Sequence, residues 1–212
     1  MKRAIFLDSA SLRDAEHAEE IGCVGGITMN PTLLAREHVS DVYSHVRDIM
    51  DIFSGLIMYQ PVADQSGYLK DALKVAELAP ERICIKLPPL EGYMRTGRRL
   101  VSDGYAIALT AVTSGEQVAI AEAIDASYII PYVSRAANDE RGSDNIVGDI
   151  MAYGTGGVPV IAASVKNMRQ LSGSYMQGAY GVSTSIAVIR TLLSNEMALE
   201  AMRSFNSEYA ND

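Results

Sequence analysis

Lys86 stands in the segment Arg82-Ile83-Cys84-Ile85-Lys86-Leu87-Pro88-Pro89, which is too apolar for a solvated ammonium group. Desolvation disfavours the charged form of an amine, so a lysine placed there is a candidate nucleophile toward a carbonyl carbon. Two plainer roles stay open: an ion pair with a carboxylate such as Asp8, or a point charge for a phosphate. Asp8 ends a short apolar run and could serve as a general acid/base, pair with Lys86 or cap a helix. Tyr132 could hold a water for proton transfer or stack at a rim. Thr28-Met29-Asn30-Pro31-Thr32 offers hydroxyl and amide groups and reads equally as an ordinary Asn-Pro helix start. Arg135, three residues beyond Tyr132, and the pair Ser164 and Lys166 have the chemistry of an anion site.

Such residues act together only if the chain brings them to one place, and the sequence holds a regular series of elements for that. Short apolar, β-branched runs occupy 3–8, 24–28, 55–60, 82–87, 105–110, 127–132, 158–163 and 179–183, with glycines interrupting the second and the last. Amphipathic stretches separate them. The stretch 11–20 opens on Ser11 and carries an acidic first turn, 68–79 stops at Pro80, and 114–124 has Glu116 early. No Pro/Gly/Ser-rich linker divides the chain, so 1–212 reads as a single domain.

Eight strand-plus-helix units of about 26 residues each lie near the lower size limit of a (β/α)8 barrel. The rival, a doubly wound open sheet, normally has a glycine-rich turn opening the helix after an early strand. Here strand one runs into Asp8-Ser9-Ala10, and Gly25-Gly26 falls inside a strand. The expected class is α/β, a single TIM barrel with an extra C-terminal helix at 195–209. Met197, Leu199, Met202 and Phe205 of that helix either close the barrel bottom or pack on a neighbouring subunit.

In a barrel, residues at i, i+2 and i+4 of a strand face the interior, and chemistry gathers where those rows reach the carboxyl end. The expected row ends are Asp8, Thr28 with Asn30 just beyond it, Gln60, Lys86, Thr110, Tyr132 and Ser164, all polar. Apolar residues precede them: Phe6 before Asp8, Met58 before Gln60, Cys84 before Lys86, Ile130 before Tyr132 and Ala162 before Ser164. An interior that is greasy below and polar at one mouth describes a small-molecule site.

Composition narrows the ligand. With 48% apolar and 21% charged residues the chain reads as globular. Its 18 Lys plus Arg against 26 Asp plus Glu give a net charge of −8, which argues against general binding of nucleic acid or of an anionic membrane. An anionic ligand therefore needs a local cationic pocket. The apolar run after Met1-Lys2-Arg3 is short, so neither a signal peptide nor a membrane span is expected and the protein reads as cytoplasmic. Cys23 and Cys84 form no CxxC, and His17, His38 and His45 sit in polar contexts, so no metal and no cofactor are expected.

Six segments taken together resemble the short transaldolase-like family, which includes the fructose-6-phosphate aldolases. They are Phe6-Leu7-Asp8-Ser9-Ala10, Thr28-Met29-Asn30-Pro31-Thr32, Ile85-Lys86-Leu87-Pro88, Leu109-Thr110-Ala111-Val112, Ile130-Pro131-Tyr132-Val133-Ser134-Arg135 and Ala162-Ala163-Ser164-Val165-Lys166. They follow the family's order and spacing over essentially the whole chain. The resemblance implies a Schiff-base lysine at Lys86, Asp8 as acceptor of the C4 hydroxyl proton, and Gln60, Thr110 and Tyr132 grouped around one water. Thr28 and Asn30 would bind the dihydroxyacetone portion of a sugar phosphate, and Arg135 and Ser164, assisted by Lys166, the phosphate of the aldehyde half. A ring-shaped homo-oligomer, pentamer or decamer, with the C-terminal helix reaching a neighbour, is implied as well.

Within the family, transaldolases usually carry glutamate and phenylalanine at the positions of Gln60 and Tyr132, and the aldolase branch carries glutamine and tyrosine. The expectation is thus a class I aldolase that cleaves or forms fructose 6-phosphate or a related ketose phosphate, giving dihydroxyacetone and an aldehyde phosphate such as glyceraldehyde 3-phosphate. Transfer of the dihydroxyacetone unit between sugar phosphates, a sulfonated-sugar relative and a non-catalytic sugar-phosphate-binding barrel stay open. Three features depart from the family pattern: Met29 replaces the second threonine of its motif, Pro89-Leu90 replaces polar residues after the lysine strand, and 179–185 lacks the usual strand-eight end.

Overall fold

The computed structural model describes residues 3–138 and 142–210. Its strands are β1 (Ala4–Asp8), β2 (Val24–Thr28), β3 (Leu56–Tyr59), β4 (Ile83–Leu87), β5 (Ala106–Val112), β6 (Tyr128–Pro131), β7 (Ile161–Val165) and β8 (Gly181–Thr184). All neighbours pair in parallel, in the order β6-β5-β4-β3-β2-β1-β8-β7. Parallel bridges from Ile129 to Val160 and from Tyr132 to Ala163 join the two outer strands and close the barrel. Helices lie between the strands, which makes this the expected α/β TIM barrel.

Strands covered on both faces need apolar residues on both. Outward residues such as Leu7, Ile27, Ile57, Ile83, Ile85 and Val182 pack against the helices. Inward residues Phe6, Met58, Cys84, Ala108, Ile130, Ile161 and Ala163 form a separate cluster that fills the barrel. The glycines that weaken the second and last strand signals have a packing cause. A Cβ at Gly26 would stand 2.8 Å from the Phe6 ring, and one at Gly181 would stand 2.7 Å from it. Glycine on both strands flanking β1 makes room for one large ring on the axis.

Strand seven departs from the expected alternation. Ile161 and Ala163 face the interior and Ala162 faces the helices, so the predicted row from Ala162 to Ser164 is corrected. The pairing with β8 shifts register between Ala162 and Val165, and Ser164 takes a left-handed φ of 60°. This bulge, not simple alternation, turns Ser164 toward the mouth. A second bulge on β5, with Ala111 at φ 58°, follows Thr110. Bulges of this kind gather at barrel rims, where they re-aim side chains.

The expected 68–79 helix runs only over Tyr68–Ala76, and the expected 114–124 helix divides into a 3-10 turn, Gly115–Gln117, followed by Val118–Ala123. The C-terminal helix spans Glu196–Ala210. It does not close the barrel bottom: its apolar residues are exposed, Met197 to 80% and Phe205 to 62%. No helix among the described residues is long and apolar enough to cross a membrane.

Candidate active site

At the carboxyl ends of the strands the interior opens into a cavity of about 110 Å³. Its wall includes Asp8, Thr28, Asn30, Lys86, Tyr132, Arg135, Ser164 and Lys166, so eight of the sequence-predicted residues meet there. Lys86 is 3% exposed, and its Nζ donates to the Met29 carbonyl at 2.8 Å. Burial pulls its pKa down to about 8, and the charge of Asp8 opposes that only in part. Lys86 and Asp8 form no ion pair; among the described residues only His17–Glu20 and Arg99–Asp103 do. Helix Tyr68–Ala76 fixes the strand end from outside, because the Tyr68 hydroxyl donates to the Lys86 carbonyl at 2.5 Å. Below the amine, burial pushes the Cys84 thiol up to about 12, so it stays protonated.

Asp8 is not a helix cap. That place belongs to Ser11, whose side chain accepts from the Asp14 amide, while Asp8 Oδ1 accepts from Thr28 Oγ1 at 3.2 Å. Asn30 fills both roles open to it. Its Oδ1 accepts from the Leu33 amide at 3.1 Å, capping helix Pro31–Arg36, and the residue also lines the cavity. Thr110 is fully buried and donates to the Tyr132 hydroxyl at 3.4 Å, which ties it to the cavity through Tyr132. Gln60 lies just past β3 and off the cavity wall; its Oε1 is buried without a protein hydrogen-bond partner. The turn after it is anchored by Asp71, which accepts from the Tyr59 hydroxyl and from the amides of Val62 and Ala63.

The rim carries the positive charge. The Arg135 guanidinium stacks over the Tyr132 ring at 4.8 Å, and Lys166 and Arg36 reach the same cavity. Arg36 ends helix Pro31–Arg36 and escapes sequence reasoning, since an arginine in the last turn of a helix is an ordinary surface residue. Ser183 lies in the stretch 179–185 that departs from the family pattern, and no spacing singles it out. It is fully buried, with its Oγ 2.7 Å from Thr28 Oγ1. Together the side chains can hold a neutral amine beside a carboxylate, a set of hydroxyls and an anion-binding rim. No group of three or more His, Cys, Asp or Glu that could hold a metal ion occurs among the described residues.

Comparison with solved structures bears on the fold. FabK from Thermotoga maritima superposes with a TM-score of 0.62 at 16% identity, over 87% of this chain and 58% of that one. Thiamine phosphate pyrophosphorylase from Pyrococcus furiosus superposes with a TM-score of 0.60 at 18% identity, over 87% and 85%. Sequence comparison reaches further. A probable transaldolase of Lysinibacillus sphaericus is 24% identical over 210 residues, 96% of each chain. A probable fructose-6-phosphate aldolase of Streptococcus pneumoniae is 27% identical over 210 residues, 96% of this chain and 95% of that one. The sequence profile of transaldolase/fructose-6-phosphate aldolase matches residues 5–203, a span that contains every residue of the cavity wall. With barrel, buried lysine and profile in agreement, the chain belongs to the transaldolase/fructose-6-phosphate aldolase family.

Proposed function

We propose that the chain is a class I aldolase acting on fructose 6-phosphate or a related ketose phosphate, and the observation that carries this reading is the buried Lys86 amine. With a pKa of about 8, about a tenth of the amine is neutral at pH 7, against less than about a thousandth for an ordinary lysine. The neutral amine attacks the C2 carbonyl, and loss of water leaves a protonated imine. The C3–C4 bond then breaks, its electron pair moves toward the imine nitrogen to give an enamine, and Asp8 takes the C4 hydroxyl proton as the aldehyde forms. Protonation of the enamine at C3 and hydrolysis of the imine release dihydroxyacetone and free Lys86. Thr110, Tyr132 and Gln60 position the water for these proton transfers. The Thr110–Tyr132 hydroxyl contact and the unpartnered Gln60 oxygen support that role. Thr28 and Asn30 bind the hydroxyls of the donor half, and Ser164, Arg135 and Lys166 bind the phosphate.

Gln60 and Tyr132 support the aldolase reading, since both match the aldolase branch of the family. The naming of several relatives as probable transaldolases favours a second reading, in which the enzyme-bound unit passes to an aldose phosphate. Incubation with fructose 6-phosphate alone separates the two. Free dihydroxyacetone is expected, and borohydride added with the substrate is expected to fix an adduct on Lys86, read by peptide mass. Consumption only when erythrose 4-phosphate is present overturns the aldolase reading, and active protein with unmodified Lys86 overturns the mechanism.

The exposed C-terminal helix supports a homo-oligomer, a pentamer or decamer in keeping with the family. Helix Glu196–Ala210 is apolar along Met197, Leu199, Met202, Phe205 and Tyr209 and also carries Glu196, Glu200 and Glu208. On the barrel flank, Ala187 and Val188 with Lys166 and Arg169 line a groove of about 550 Å³. An acidic, apolar helix suits a groove with a basic rim, so the helix of one subunit packs on the next. Deletion of 195–212 is expected to lower the assembly mass in sedimentation; an unchanged mass rules this packing out.

A further inference from the structure

Asp8 is held, through Thr28, by a residue that lies off the cavity wall. β1 sits between β2 and β8, with Asp8 paired to Thr28, and Phe6 paired to Gly26 on one side and to Ser183 on the other. Side chains from alternate strands of a barrel share a layer, and next to the Phe6 layer Thr28 meets Ser183. Their oxygens are 2.7 Å apart, and Thr28 Oγ1 is also 3.2 Å from Asp8 Oδ1. Thr28 is 2% exposed and Ser183 0%, so water does not compete for either hydroxyl. A carboxylate accepts and does not donate, so Thr28 gives its one proton to Asp8. The proton between the two hydroxyls must then come from Ser183. The order of donation runs from Ser183 to Thr28 to Asp8, and each bond polarises the next.

We infer that Ser183 is a positioning residue: through Thr28 it aims the Asp8 carboxylate at the C4 hydroxyl. The inference rests on the aldol reading above and deepens it. The Ser183 hydroxyl makes no other hydrogen bond among the described residues. Without it the Thr28 oxygen loses the donor that fixes and polarises it, and the bond it gives the Asp8 carboxylate is weaker and less directed.

The effect is specific to the step that Asp8 serves. Ser183→Ala is expected to lower kcat for ketose cleavage about tenfold, the usual size for a hydrogen bond feeding a charged group, with a smaller change in KM because Asn30 still holds the donor half. At saturating dihydroxyacetone, where a weakened Thr28 contact to the donor half no longer limits binding, borohydride trapping on Lys86 is expected at the wild-type rate, since dihydroxyacetone has no C4 hydroxyl; normal trapping also reports an intact barrel. Ser183→Thr, which keeps the hydroxyl, is expected to restore turnover. In an Asp8→Asn background, Ser183→Ala is expected to add no further loss, because the acceptor is already gone. Undiminished cleavage in Ser183→Ala, equal loss of trapping and cleavage, failed rescue by threonine, or additive losses with Asp8→Asn each overturn the inference. A wild type that traps nothing on Lys86 overturns the aldol reading and this inference with it, which separates the two failures.

Discussion

Lys86→Met is expected to abolish aldol turnover and to melt at a higher temperature than the wild type. The amine sits at 3% exposure with its pKa pulled from 10.5 to about 8 by burial. That gap is a penalty of about 3 kcal/mol on the folded state wherever the amine must carry a proton. The sign follows from proton binding. Between pH 8 and 10.5 the unfolded chain holds more protons than the folded one, so stability rises with pH across this window, and below about 8 the whole penalty is present. Methionine fills the same space without charge and forfeits only the bond to the Met29 carbonyl, worth about 1 kcal/mol. The net gain of about 2 kcal/mol corresponds to several degrees for a chain of this size. Thermal melts of both proteins from pH 6 to 10 check this: the advantage of the variant is expected below pH 8 and fades toward 10.5. A variant that melts below the wild type at pH 7 would show that the buried amine is no burden on the fold.

The second large effect belongs to the rim. Arg36, Arg135 and Lys166 converge on a cavity whose wall holds a single carboxylate, Asp8, and none of the three is ion-paired among the described residues. In a chain of net charge −8, unpaired cations around one opening act as a local anion trap. Arg135→Ala is expected to raise KM for glyceraldehyde 3-phosphate in the synthetic direction about 30-fold, the size of a charge-assisted hydrogen bond to phosphate, and to leave KM for unphosphorylated glyceraldehyde nearly unchanged. Arg135→Lys is expected to recover only part of the loss, because it keeps the charge but loses the stack on Tyr132. Arg36→Ala should follow the same pattern with a smaller effect. Steady-state kinetics with both aldehydes decide the matter, and equal losses for the two would remove the rim from phosphate recognition.

The barrel and most of its mouth are legible in the sequence for a plain reason. Residues such as Phe6, Met58, Cys84 and Ile130 obey strand alternation, so Asp8, Gln60, Lys86 and Tyr132 can be placed two residues beyond them. The environment of Lys86 is local, written in the apolar residues on either side. What escapes is what depends on backbone shape or on distant partners. Ser164 reaches the cavity through a left-handed residue that costs about 1–2 kcal/mol, and no spacing rule announces it. Ser183 finds Thr28 across 155 positions of chain, a contact only closure of the barrel creates. Arg36 looks like any helix-end arginine until the helix is set against the mouth.

Two residues with no functional group help to set the reactivity of Lys86. Gly26 and Gly181 admit the Phe6 ring to the barrel axis, in the same packed cluster as Cys84. This puts an apolar floor beneath the amine, so the permittivity around it is set by that floor as well as by its polar neighbours. The basicity of Lys86 is in this sense a property of the whole cross-section of the barrel, and the smallest side chains in that section are among its determinants.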